Sequence, residues 1–149
     1  MLKQKLIFIM GLTTLLIADP PDWEVWPGNF EYAMYVTARV YDNSTDIGSQ
    51  EDFLGAFNEQ EECVGIAEGM VVPPFFGGGY AFLIQIYSNN EDSESVSFQF
   101  YDNEEDTTYD IGEDLSFVAD AVVGDLIEPT MFHILATTNN VPPVAVSAT

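Results

Sequence analysis

Basic side chains are nearly missing from this sequence. Lys3, Lys5 and Arg39 stand against 25 acidic residues, for a formal net charge of −22. Nucleic acid and anionic membranes are bound through basic footprints that release counterions, so neither is an expected partner. Cysteine is reduced to Cys63, which excludes an intrachain disulfide and a cysteine zinc cluster. Its setting, Cys63-Val64-Gly65-Ile66-Ala67, is that of a thiol acting as a small core hydrophobe. Histidine is reduced to His133, between Phe132 and Ile134 in a strand-like run, and no partner for catalysis or metal binding is visible beside it. Hydrolase and phosphate-loop signatures are missing too: Gly77-Gly78-Gly79 has neither the lysine nor the helix that a phosphate cradle needs. Nor does any stretch hold a helical period over ten residues. The expectation is a protein that is not an enzyme.

Apolar residues are plentiful, 47% of 149, enough for one real core. They begin with an almost uncharged run, Leu6 to Ala18, behind Lys3 and Lys5. Basic residues, a short apolar run and a small residue at Ala18 are the pattern of an export signal. These 13 residues make a helix of only ~20 Å, short of the ~30 Å of a bilayer core, so no membrane span is expected. As a strand they reach ~43 Å, enough to lie along a neighbouring subunit's sheet. Leu6, Phe8, Met10, Leu12 and Leu16 then share one face, and Ile7, Ile9, Leu15 and Ile17 the other. Residues 1–18 are thus a signal-like segment or a donated strand. The connector 19–29 follows, stiffened by Pro20-Pro21 and carrying Trp23 and Trp26.

Residues 30–140 alternate as half-buried strands do. Tyr32, Met34, Val36, Ala38 and Val40 fall on one face of the first strand, with Glu31, Tyr35, Thr37 and Arg39 opposite. Short strands are expected at 53–58, 63–68, 80–87, 115–119 and 131–137. Another is centred on Val96, Phe98 and Phe100, with Ser95, Ser97, Gln99 and Tyr101 on its wet face. Acid-rich turns at 42–48, 59–62, 89–94 and 102–110 separate them. About seven such strands predict an all-β protein, an antiparallel immunoglobulin-like β-sandwich, either complete in itself or completed by a strand from a neighbour. A small barrel is the alternative. A tail, 141–149, follows the body behind Val141-Pro142-Pro143.

Three chemistries are suggested by local composition. Asp42, Asn43 and Asp46 offer hard oxygens for calcium, which takes six to eight such ligands, and a solvated turn is the competing reading. Asn43-Ser44-Thr45 is the one N-glycosylation sequon, on a turn. Trp23, Trp26 and Tyr80 are aromatics that sugars stack on.

From Trp23 to Ile134 the chain resembles a β-sandwich module of secreted and surface-attached bacterial proteins. The marks are Trp23 with Pro27, Phe30-Glu31-Tyr32-x-Met34, Leu54-Gly55-Ala56-Phe57, Cys63-Val64-Gly65-Ile66-Ala67, Ala81-Phe82-Leu83, Ser97-Phe98 to Tyr101-Asp102, and Phe117 to Gly124. That resemblance implies an extracellular or cell-surface place and a scaffolding or adhesive role, with no catalytic residues to carry over. The layout, an apolar terminus ahead of one module, is similar to subunits of donor-strand-linked bacterial filaments. It implies copies of the chain as partners, joined head to tail into a pilus-like fibre. A secreted monomeric adhesion or carbohydrate-binding module is the alternative expectation.

Overall fold

The computed structural model describes residues 19–136; the candidate donor segment and the tail lie outside them. Eleven strands form two sheets with no α-helix among these residues: β1 (Tyr32–Asp42), β2 (Thr45–Asp46), β3 (Phe53–Phe57), β4 (Cys63–Glu68), β5 (Met70–Val71), β6 (Tyr80–Ser88), β7 (Asp92–Asp102), β8 (Thr107–Asp110), β9 (Leu115–Val118), β10 (Val122–Val123) and β11 (Thr130–His133). The first sheet runs β10-β1-β6-β5, with β2 and β11 also on β1; the second runs β4-β3-β7-β8, with β9 on β7. Neighbours are antiparallel except that β10 and β11 join β1 parallel. The expected two-sheet β-sandwich is what the chain forms.

The core lies between the sheets, and period-two alternation puts it there. Met34, Val36, Ala38 and Val40 of β1 point inward beside Phe82, Ile84 and Ile86 of β6. Leu54 and Ala56 face them from β3, with Val96, Phe98 and Phe100 from β7. Phe82 meets Phe100 edge-on at 5.9 Å between ring centroids, and Phe98 lies 4.4 Å from Phe132. The core is closed by the chain's own strands. Along one seam, Gly112 N–H donates to the His133 carbonyl and Leu135 N–H to that of Asp110, while Asp120 N–H donates to Ala33 and Tyr35 N–H to Ala121. Along the other, the chain crosses from β4 in the second sheet to β5 in the first through a corner at Gly69.

Four short strands escaped the sequence pattern. β8 lies inside the acid-rich stretch 102–110, and β2 inside 42–48. Their pairings, Asp102 with Thr107 and Asp42 with Thr45, close the hairpins of β7–β8 and β1–β2. Asn43 and Asp106 adopt positive φ there, 55° and 49°, which Asn and Asp tolerate better than most residues. Strand β7 also starts earlier than its apolar residues suggest, at Asp92 within the expected turn 89–94.

Candidate functional site: the two outer sheet faces

With the interior closed, what the molecule offers a partner is its outer faces and its sheet edges, and the two faces differ sharply. The main strands of the first sheet read YAMYVTARVYD, YAFLIQIYS, VV and TMFH. With β2 and β5 included, the strands of this sheet hold two carboxylates, Asp42 at the end of β1 and Asp46 in β2. The register places Tyr35 beside Gln85 and Val122, Thr37 beside Leu83, and Arg39 beside Met131. Tyr35, Leu83, Val122 and Met131 are all exposed, and Leu135 continues the strip. Gln85 Nε2 donates to Tyr35 Oη at 3.3 Å. In a chain of 25 acids, this is an apolar face with almost no charge.

Arg39 stays out of reach beneath it. Its guanidinium pairs with Asp46 at 2.9 Å and donates to the Gly78 carbonyl, pinning the loop that follows β5. That pairing bears on the calcium expectation. Asp42 and Asp46 sit on opposite strands of the β1–β2 hairpin, but Asp46 is committed to Arg39 and to Gly48 N–H. Among the described residues no three His, Cys, Asp or Glu side chains converge as a metal site. Asn43 is exposed at the turn, where its Nδ2 donates to Asp42 Oδ1 at 3.2 Å.

The outer face of the second sheet is half covered by the connector. Trp23 lies over Gly55, where a Cβ would come within 2.9 Å of the indole, and meets Phe57 edge-on at 5.5 Å. Gly55 therefore makes room for a tryptophan. Pro20, Pro21, Trp23, Phe53 and Ile66 line an open cavity of about 230 Å³. Asp19 N–H donates to Asp106 Oδ1 at 3.1 Å, the same oxygen that accepts from Tyr101 Oη at 2.7 Å. Burial first, and then the Asp106 carboxylate, push the Tyr101 phenol up to about 12, so it remains a donor. Tyr101 belongs to the wet side of β7 by alternation yet is buried, because the connector is docked there. Trp23 is thus packed on its own sheet and half-buried, whereas Trp26 is 64% exposed. Tyr80 lies on the first sheet, so the three aromatics that suggested sugar stacking do not form one site.

The uncovered half of this face is concave. Phe57, Glu61, Ser97, Gln99 and Asp110, with the edges of Phe98 and Ile111, line a cavity of about 370 Å³. Ser97 and Gln99 are wet positions of β7 by alternation, whereas Glu61 and Asp110 belong to stretches that read from sequence as acid-rich turns. Gln99 is paired with Asp110, and its Nε2 donates to Asp110 Oδ1 at 3.0 Å.

His133 does have a partner, 20 residues away. Glu113 accepts from the His133 backbone N–H at 2.8 Å and pairs with its Nδ1, while the ring lies 5.7 Å from that of Tyr41. Burial raises the Glu113 carboxyl, but the bonds from His133 outweigh it and hold the group below its usual range. A depressed folded pKa contributes stability above the unfolded value of about 4.3 and loses it as pH falls through the lower folded one. Glu113→Gln is expected to lower Tm near neutral pH and to converge with wild type as acid is added. Parallel curves across that range would show that the pair does not fasten the seam.

No family model, curated protein or solved structure matches this chain.

Proposed function

We propose that this chain is a non-enzymatic structural subunit of an extracellular fibre, in which residues 6–18 of one copy are received by the next. The observation that carries this reading is the nearly acid-free apolar face on β1, β6, β10 and β11. Copies carrying −22 each repel one another over most of their surface, and this face is where close approach costs least. The apolar run fits it in kind: Leu6 to Ala18 brings no carboxylate, and Lys3 and Lys5 ahead of it are attracted by an acidic neighbour. Because the core is already closed, the receiving surface is a face and an edge. β5 ends the first sheet with Met70 and Val71 exposed, and a strand added alongside extends the ladder. Arm and receiving face are different surfaces, so the contact is heterologous and propagates head to tail.

The test compares the full chain, residues 19–149 and full-chain Leu83→Glu by negative-stain microscopy and sedimentation. Fibres are expected from the full chain alone, since the shortened chain lacks the arm and Leu83→Glu puts a carboxylate in the receiving face. Three monomeric proteins, or fibres from the shortened chain, would overturn the reading. The same melting temperature for Leu83→Glu and wild type shows that only the surface was altered.

A further inference from the structure

We propose that the cavity on the outer face of the second sheet binds one ring of a neutral glycan chain. This goes beyond the fibre reading and does not depend on it, since it uses the opposite sheet. About 370 Å³ falls in the size range of small-molecule sites. The floor is rigid: Ser97 and Gln99 project from the middle of β7, which is laddered to β3 on one side and, at Gln99, to β8 on the other. One wall is the Phe57 ring, buttressed by Trp23 and so by the docked connector. An aromatic ring lining the cavity gives the C–H side of a pyranose an apolar surface to pack on.

The polar groups suit hydroxyls. Asp110 uses one carboxylate oxygen to fix the Gln99 amide, which leaves its other oxygen and the Gln99 carbonyl as acceptors. Glu61, at φ 62° in the β3–β4 turn, adds a second carboxylate, and Ser97 a hydroxyl. Sugar hydroxyls donating to carboxylates make the stronger class of hydrogen bond. No cation lines the cavity, so the same two carboxylates repel uronate, sulfate and phosphate groups. The site thereby distinguishes neutral from acidic glycans.

Calorimetry on the full chain with cellohexaose, mannohexaose and hexagalacturonate decides the matter. At least one neutral hexasaccharide is expected to bind, and hexagalacturonate not to. Gln99→Ala and Asp110→Asn, both at outward positions, are each expected to weaken binding about tenfold, the effect of losing one such bond. Phe57→Ala is expected to abolish it. Should Phe57→Ala disturb the connector, seen as a lowered Tm, the other two variants carry the test. Absence of neutral-sugar binding at millimolar concentration would overturn the proposal. So would binding unchanged by Gln99→Ala and Asp110→Asn, or tighter binding of the uronic acid oligomer.

Discussion

Among the described glycines, Gly69→Ala should be the most destabilising addition of a single methyl, since its Cβ position shows the tightest overlap. A Cβ at Gly69 would lie 1.8 Å from the Ser49 carbonyl oxygen and 2.8 Å from its carbon. Both are backbone atoms, so no side chain can swing aside. The constraint is space and not a left-handed φ, since Gly69 is outside the set of positive-φ glycines. It is the corner at which the chain leaves β4 in one sheet and enters β5 in the other, and its N–H donates to the Asp52 carbonyl at 3.0 Å. Making room means opening that corner and losing the bond. Overpacking a core costs ~1–3 kcal/mol, and a backbone overlap belongs at the top of that range or above it. Against a total of ~5–15 kcal/mol, this should lower Tm by roughly 10 °C or more. Gly28→Ala is the control, because nothing lies within 4 Å of its Cβ position, and a change within about 0.5 kcal/mol is expected. Equal melting temperatures for the two variants would refute the corner argument.

How legible such positions are in the sequence depends on where their constraint comes from. Strand β1 could be read directly, since its alternation is imposed by a single core on one side, and Met34, Val36, Ala38 and Val40 are buried as their spacing says. β8 could not, because Thr107 to Asp110 carries no apolar alternation and is a strand only through its ladder to β7. The floor of the candidate glycan site was half legible: Ser97 and Gln99 declare a wet face, but whether that face is open depends on where the connector docks. Trp23 and Gly55 lie 32 positions apart, and their contact leaves no local mark. Tyr101, on the same wet side, is buried for that reason. The acid-free face is a similar case. Each strand shows its own lack of carboxylates, but only the sheet order joins β1, β6, β10 and β11 into one surface.

Asp52→Ala should cost about 2–4 kcal/mol, although in the sequence Asp52 is one acid among 25. It is buried, and it organises three segments. Its Oδ2 accepts from Ser49 N–H at 2.7 Å, closing the loop ahead of β3. Its Oδ1 accepts from Asn103 N–H at 2.9 Å, tying that loop to the β7–β8 turn. Its own carbonyl accepts from Gly69 at the corner between the sheets. Alanine keeps the last bond and orphans the other two donors, each of which costs ~1–3 kcal/mol when water cannot replace the partner. Partial exposure of Ser49 and Asn103 brings the sum toward the lower part of that span. Asparagine separates the two contributions: it can accept from one amide but turns an NH₂ toward the other, so an intermediate loss is expected. Hydrogen exchange resolves which: Asp52→Ala should deprotect the amides of both Ser49 and Asn103, Asp52→Asn only one. Should neither amide lose protection, the segments are held by their own strands and Asp52 is a bystander. Should both loosen together with Gly69, the loop, the hairpin turn and the corner act as one joint whose failure opens the sandwich at this end.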